Sequence, residues 1–387
     1  MRLLIAGGGT GGHIYPALAV ARSLRDATGS VPGGVELTWL GGHRGLEASI
    51  VPAARIAFRR LALRSLRTVD RDVHLVLDPA RLAMSIPQAT AILLRERPAA
   101  IFTTGGYVAI PTLLAAAPLR IPVVLWDGNV VPGRSVRFTA RFANALAVSF
   151  EATCAALAGS GRPCFVTGTP IRDTREIDRE AARSRLGIPA GERVMLIFGG
   201  SQAVRRFNTA VADALPRLVD RVVVVHVTGD DGYADALTGR EALPAHRRDR
   251  YRPYPFLADD MIDALAAADL VVGRAGSSTL AEVAALGLPM IVVPYPHAAG
   301  HQRANADVLV QAGAARLVED EAFDAAALLT AATILDDPSV HVRMSAAARE
   351  LGRPGSADAV AELVLALAQR RPLPDASAID RRTRGAR

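Results

Sequence analysis

The two halves of this chain open alike, each with a wholly apolar run that ends in glycine: LLIAGGGTGG at residues 3–12 and MLIFGGSQ at residues 195–202. An apolar run without alternation fits a strand covered on both faces, and glycine at its carboxyl end permits a tight turn into a helix. Two such openings in 387 residues predict two doubly wound, Rossmann-like α/β domains. The remaining sequence keeps this rhythm, with short strand-like runs alternating with Ala- and Leu-rich helical stretches. Strands are expected at 2–6, 36–40, 100–103, 122–126, 144–149 and 164–167 in the first half. In the second they are expected at 193–199, 222–227, 270–273, 290–294 and 314–318. The boundary is expected near 165–172, giving domains 1–165 and 166–369. A last helical stretch is expected over about 340–369. The polar, Pro-containing 370–387 (RRPLPDASAIDRRTRGAR) reads as a disordered tail.

Composition narrows the chemistry. All 45 basic residues are Arg, which excludes a Schiff-base lysine, a pyridoxal-phosphate enzyme and a lysine-bearing Walker loop. Two cysteines, Cys154 and Cys164, suit a reducing compartment and cannot build a Cys-rich metal site. No apolar run approaches the ~20 residues that span a bilayer, and the first residues turn into glycine too soon for a signal peptide, so a cytosolic protein is expected. The net charge of +7 is unevenly spread. Residues 1–165 hold 18 Arg against 9 acidic residues, and residues 166–387 hold 27 against 29. An excess confined to one half points to an anionic partner: nucleic acid, a phospholipid surface or a phosphorylated substrate. Sparse aromatics and the lack of any recognisable module speak against nucleic acid.

The glycine loops are the chemical signal. GGGTGG (residues 7–12) fits G-x-G-x-x-G between a strand and a helix, where backbone amides and a helix N-terminus form an anion site. The loop does not say which phosphate it takes. A dinucleotide needs an acid ending the second strand, and that strand ends Trp39-Leu40-Gly41-Gly42, so NAD(P) is disfavoured. His13, just past the loop, reads either as a helix-start residue or as a general base beside bound anions. TTGGY (103–107) and WDGN (126–129) each close a strand, as ordinary turns or as ligand loops. In the latter case Asp127 and Asn129 would take a proton or position sugar hydroxyls. In the second half, GGSQ (199–202) offers another amide nest. In RAGSSTLAE (274–282), Gly276, Ser277, Ser278 and Thr279 present amides and hydroxyls to phosphate, and Glu282 is placed to chelate ribose hydroxyls or to serve the helix end. His297, His301, Gln302 and Asn305 form a polar loop, and no third metal ligand is evident there. From Arg59 to Arg97, apolar residues are bordered by arginines, as in a core helix with basic flanks or a surface that inserts between anionic headgroups.

Taken together, GGGTGGHIYPALAVA (7–21), TTGGYVAIP (103–111), VTGTPIR (166–172), GGSQ…N (199–208), ADLVVGRAGSSTLAEVAALGLPMIVVP (268–294) and HQRANA (301–306) resemble the MurG family, in order, over about residues 1–360. The resemblance implies a GT-B fold, α/β with two Rossmann-like doubly wound domains facing a cleft and the last helix crossing back to the first domain. It implies transfer of N-acetylglucosamine from UDP-N-acetylglucosamine to the lipid-linked acceptor lipid I in peptidoglycan synthesis; the transfer is expected to invert the anomeric centre and to need no cofactor or metal. It also implies peripheral attachment to the cytoplasmic face of an anionic membrane. Carried over by motif, Arg172, Ser201, Gly276, Ser277, Ser278 and Thr279 would face the donor's diphosphate and sugar, and Leu257 or Ala258 the uracil. Glu282 would hold the ribose, and His301, Gln302 and Asn129 the N-acetylglucosamine hydroxyls. Gly9, Thr10, Gly11 and Gly12, with Tyr107, would hold the acceptor's diphosphate. His13 matches the family's candidate catalytic histidine, with Asp127 as alternative base or orienting partner.

The chain departs from the family pattern at several of these places. Trp126-Asp127-Gly128-Asn129 stands for the usual His-Glu-Gln-Asn, Gly168-Thr169-Pro170 for Gly-Asn-Pro, and Ala203-Val204 for Gly-Ala. The segment 256–261 is one residue longer than usual. These departures keep three other readings open: a related glycosyltransferase with another lipid or aglycone acceptor, a UDP-N-acetylglucosamine epimerase, or an inactive membrane-associated binding protein.

Overall fold

The structure, a computed structural model, describes residues 1–27, 31, 33–43, 45–63, 74–199, 205–257, 260–298 and 300–385, with the backbone alone for 74–80. The chain divides into two compact units, Met1–Asp173 together with Arg353–Arg387, and Thr174–Gly352.

The first unit is built on seven parallel strands: β1 (Arg2–Ala6), β2 (Glu36–Gly42), β3 (Ala57–Leu61), β4 (Ala100–Thr103), β5 (Val123–Asp127), β6 (Ala145–Val148) and β7 (Cys164–Val166). Their order is β3-β2-β1-β4-β5-β6-β7. The second unit repeats the plan with six: β8 (Val194–Phe198), β9 (Val223–Val227), β10 (Tyr251–Tyr254), β11 (Leu270–Gly273), β12 (Met290–Val292) and β13 (Ala315–Leu317), ordered β10-β9-β8-β11-β12-β13. In each sheet the chain reverses its direction of travel once, between β1 and β4 and between β8 and β11. At such a point the loops from neighbouring strands part and leave a crevice at their carboxyl ends. Three of the four strands at the two reversals run into glycine loops singled out by sequence, residues 7–12, 103–107 and 274–279, and the fourth, β8, leads to Gly199, the last described residue before 205.

The inner strands are legible because helices cover both their faces. Leu3, Leu4, Ile5 and Ala6 of β1 and Met195, Leu196 and Ile197 of β8 are all buried. Sequence reasoning missed β3 and β10. Both are edge strands, where Arg59 and Arg60 reach solvent and where Pro253 forfeits no essential ladder bond.

Four expectations are corrected. The boundary falls after Asp173, just past the expected 165–172, so the first domain runs beyond 165 because 166–172 stays tied to it: Trp126 Nε1 donates to Gly168 O (3.1 Å) and Ser356 Oγ to Thr169 O (2.6 Å). The single last helix is two, Pro338–Leu351 in the second unit and Ser356–Ala368 in the first, broken at Gly352-Arg353-Pro354-Gly355. Ala359, Val360, Leu363 and Val364 of the latter share the core of Leu3, Ile5 and Phe102. The tail expected to be disordered carries a helix, Ala376–Thr383. Asp375 caps it by accepting the Ala378 amide (2.7 Å), Ile379 is buried, and Arg353 pairs with Asp380 (2.7 Å). Finally, Cys154 and Cys164 are joined in a disulfide, because the helix Glu151–Leu157 returns beside the start of β7.

Candidate functional site

In the first unit the loop after β1 passes Gly9 at φ +98° and enters the helix Gly11–Asp26, with Thr10 as N-cap. The Thr10 carbonyl accepts the amides of His13 (3.0 Å) and Ile14 (3.2 Å), which places His13 in the first turn. The loop after β4 approaches from the neighbouring strand through Gly105 (φ +80°) and Gly106 (φ +71°). Only glycine takes such angles without strain. This turn brings the Thr104 carbonyl to 2.8 Å from His13 Nδ1. A carbonyl oxygen only accepts, so Nδ1 carries the ring proton and Nε2 keeps its lone pair. A Cβ on Gly106 would stand 3.5 Å from that Nε2. Burial lowers the His13 pKa, and the Thr104 bond and the charges of Asp127 and Glu47 oppose it. The result is a neutral imidazole with a defined tautomer at the topological reversal.

Asp127 ends β5 and is buried. Its Oδ1 accepts the Asn129 amide (2.9 Å) and side chain (3.3 Å), and its Oδ2 accepts the Gly133 amide (3.3 Å). Burial raises its pKa against these bonds and the charge of His13. Asp127 thus folds its own loop and presents a negative field to the histidine. The departures from the family pattern have local explanations here. Trp126, in the histidine position, is buried with its indole N–H on Gly168 O, and the Thr169 hydroxyl meets Ser149 Oγ at 2.7 Å. Asn129 lends its carbonyl to the Thr153 hydroxyl (2.8 Å).

Sequence reasoning missed one residue of this constellation. Glu47 is wholly buried and accepts the Gly9 amide (3.0 Å), the Gly42 amide (3.1 Å) and the Tyr107 hydroxyl (3.0 Å). Two of the five expected acceptor-diphosphate residues, Gly9 and Tyr107, therefore serve an internal carboxylate. Burial and this carboxylate push the Tyr107 hydroxyl above its ordinary pKa. The clue in the sequence was the ring of glycines at 8, 41, 42 and 45.

In the second unit β11 leads through Arg274, Ala275 and Gly276 into the helix Ser277–Leu286, with Gly276 as N-cap. The first amides of a helix lack internal partners and favour an anion. Ser278 Oγ is buried there with no hydrogen-bond partner among the described residues, an orphaned hydroxyl that costs free energy unless a ligand meets it. Thr279 and Glu282 follow on the same helix, both partly buried. Arg274 anchors the turn from below. Its guanidinium donates to Val293 O (3.2 Å), pairs with Asp320 (2.5 Å) and lies over the rings of Phe207 (4.8 Å) and Tyr295 (5.4 Å). Gln302, in the helix His301–Gln311, accepts the amides of Ala275 (3.2 Å) and Tyr295 (2.9 Å), leaving its NH2 group to donate elsewhere. This brings Gln302, with His301 beside it, to the loop that holds Gly276 through Thr279. Leu257, after β10, is buried in the core of this unit, and Arg172 lies partly buried at the end of the first unit's segment. Ser201 and Ala258 lie outside the described residues, as do Ala203 and Val204. Among the described residues no group of three or more His, Cys, Asp or Glu is placed to hold a metal ion.

Two parallel sheets of this order, each with glycine loops at its reversal, have the build of the GT-B fold, and the comparisons supply the glycosyltransferase class. Residues 3–148 match the glycosyltransferase family 28 N-terminal domain and residues 194–360 the family 28 C-terminal domain. The chain is 36% identical over 376 residues to the UDP-N-acetylglucosamine–N-acetylmuramyl-(pentapeptide) pyrophosphoryl-undecaprenol N-acetylglucosamine transferase of Moorella thermoacetica, covering 94% of this chain and 98% of the relative. The solved MurG of Acinetobacter baumannii superposes with a TM-score of 0.71 at 26% identity, over 94% of this chain and 99% of that one. The chain belongs to the MurG family. A structure presented as a UDP-N-acetylglucosamine 2-epimerase from Listeria monocytogenes has a TM-score of 0.70 at 13% identity, covering 97% of this chain and 98% of that one; it shares the fold alone.

Proposed function

We propose that the chain transfers N-acetylglucosamine from UDP-N-acetylglucosamine to the C4 hydroxyl of lipid-linked N-acetylmuramyl-pentapeptide, converting lipid I to lipid II with inversion. The observation that carries the mechanism is the His13–Thr104 bond, which leaves Nε2 as the free acceptor. The acceptor oxygen forms a bond to the anomeric carbon and its proton passes to Nε2, while the bond from that carbon to the UDP oxygen breaks on the opposite face. General-base help of this kind contributes about 10²–10⁴ in rate. Asp127 supports the imidazolium that forms. The amides of Gly276 through Thr279 and the Ser278 hydroxyl take up the charge on the departing diphosphate, with Arg172 and Ser201 assigned to the same group. Fixed donors aimed at developing charge need no reorganisation. Glu282 is assigned to the ribose, Leu257 and Ala258 to uracil, and Gln302, His301 and Asn129 to the sugar hydroxyls. Thr10, Gly11 and Gly12 are assigned to the acceptor's diphosphate.

The same reading places the protein on the cytoplasmic face of an anionic membrane. No helix among the described residues is long and apolar enough to cross one. What supports attachment is the basic excess of residues 1–165, with exposed Met84 and Leu94 on the helix His74–Glu96 between arginines 81, 95 and 97. Arg64, Arg67 and Arg71 belong to the same basic stretch and lie outside the described residues.

The test is acceptor dependence. UDP release from UDP-N-acetylglucosamine is measured with and without lipid I. Release that requires the acceptor is expected. Epimer formation without acceptor, or binding without turnover, would overturn the reading.

A further inference from the structure

Glu47 begins the helix Glu47–Ala53 beneath the first unit's glycine loop, and apart from the glycines at 41, 42 and 45 nothing around it in sequence announces a role. Its three hydrogen bonds join three separate segments: the loop after β1 through Gly9, the end of β2 through Gly42, and the helix after β4 through Tyr107. Glycines clear the space it fills. A Cβ on Gly8 would come within 2.3 Å of a carboxylate oxygen, one on Gly45 within 2.1 Å, and one on Gly41 within 2.9 Å of Glu47 Cγ. A Cβ on Gly42 would stand 2.4 Å from the Tyr107 hydroxyl. A buried carboxylate is costly unless hydrogen-bonded, and one satisfied by donors from three segments holds those segments in register.

We infer that Glu47 is the positioning residue of the transfer reaction: by tying Gly9 and Tyr107 to one buried carboxylate it fixes the loop that leads into the helix carrying His13. The inference rests on the transfer reading above. It also reassigns two donors, leaving the acceptor's diphosphate to the amides from Thr10 onward. Glu47 touches no reacting atom, so its loss acts on turnover through loop geometry and through the field at His13. Among the described residues the groups acting on His13 are the Thr104 carbonyl, Asp127 and Glu47.

The experiment uses the full chain with UDP-N-acetylglucosamine and lipid I, and the variants E47Q, E47D and Y107F. In E47Q the amide's NH2 meets a backbone N–H, donor against donor, so the loop shifts. A fall in kcat of about 10- to 100-fold is expected, as for small misplacements of a catalytic group. UDP affinity measured by calorimetry stays within about twofold, because the carboxylate lies in the other unit. The acid limb of the pH profile moves to lower pH, since one negative neighbour of His13 is gone. E47D keeps the charge but shortens the reach, so kcat falls and the limb stays in place. Y107F removes one of three donors and lowers kcat less than E47Q; it decides the matter if E47Q does not fold. E47Q turnover within about twofold of wild type overturns the inference, as does a loss matched by lost UDP binding with an unmoved acid limb. Wild-type protein that never transfers to lipid I refutes the transfer reading itself.

Discussion

His13 Nδ1 stands 2.8 Å from the carbonyl oxygen of Thr104, a residue 91 positions away on the neighbouring strand's loop. Because that oxygen only accepts, one bond fixes both the tautomer and the ring's orientation. Replacing His13 with Gln removes the base and leaves the donor-binding unit untouched. The expected outcome is a kcat reduced by about 10²–10⁴ with UDP affinity preserved, checked by steady-state kinetics and calorimetry. The pH profile follows from the same geometry. The base works only when neutral, so activity is full above its pKa and lost as pH falls through it. Burial lowers that pKa from 6.5, so the acid limb of kcat/KM is expected below the ordinary histidine value.

Gly106 has φ +71° and lies against His13 Nε2. Gly106→Ala therefore combines left-handed strain, about 1–2 kcal/mol, with a methyl group where the acceptor hydroxyl must approach. Both thermal stability and kcat are expected to fall, and the kcat loss exceeds what the unfolded fraction explains. Kinetics normalised to the folded fraction separate the two.

Among the described residues Ser278 Oγ has no hydrogen-bond partner, inside the turn that begins the helix Ser277–Leu286. If UDP is its partner, Ser278→Ala weakens UDP binding by about 10- to 150-fold, the worth of one hydrogen bond to a charged group. The melting temperature of the free protein stays equal or rises, since an unsatisfied buried hydroxyl is removed. Calorimetry and thermal unfolding check both halves.

Gly355 admits the end of the tail helix. Its amide donates to Thr383 O (2.8 Å), and a Cβ there would stand 2.1 Å from Arg382 O. Gly355→Ala is expected to destabilise the first unit by about 1–3 kcal/mol and to expose 370–385 to proteolysis. Limited proteolysis followed by mass spectrometry reads the outcome.

The sequence made the inner strands, three of the four glycine loops and His13 legible, because parallel strands covered on both faces leave unbroken apolar runs and their turns demand glycine. It concealed what depends on distance along the chain. Glu47 owes its role to Gly9 and Tyr107, 38 and 60 positions away, and its short helix carries no motif. The edge strands β3 and β10 carry arginine and proline because no further strand needs their outer face. The tail's composition resembled disorder, yet Asp375 caps a helix there, and buried Ile379, the Arg353–Asp380 pair and the Gly355 amide on Thr383 O dock it onto the first unit.

The most direct check on the catalytic claim is the ring-nitrogen NMR spectrum of 15N-histidine-labelled protein near neutral pH, with His13 assigned by comparison with the Gln variant. A neutral imidazole protonated at Nδ1 is predicted, its Nε2 resonance moving on titration to acid. A His13 ring already doubly protonated at neutral pH, or one carrying its single proton on Nε2, would contradict the account.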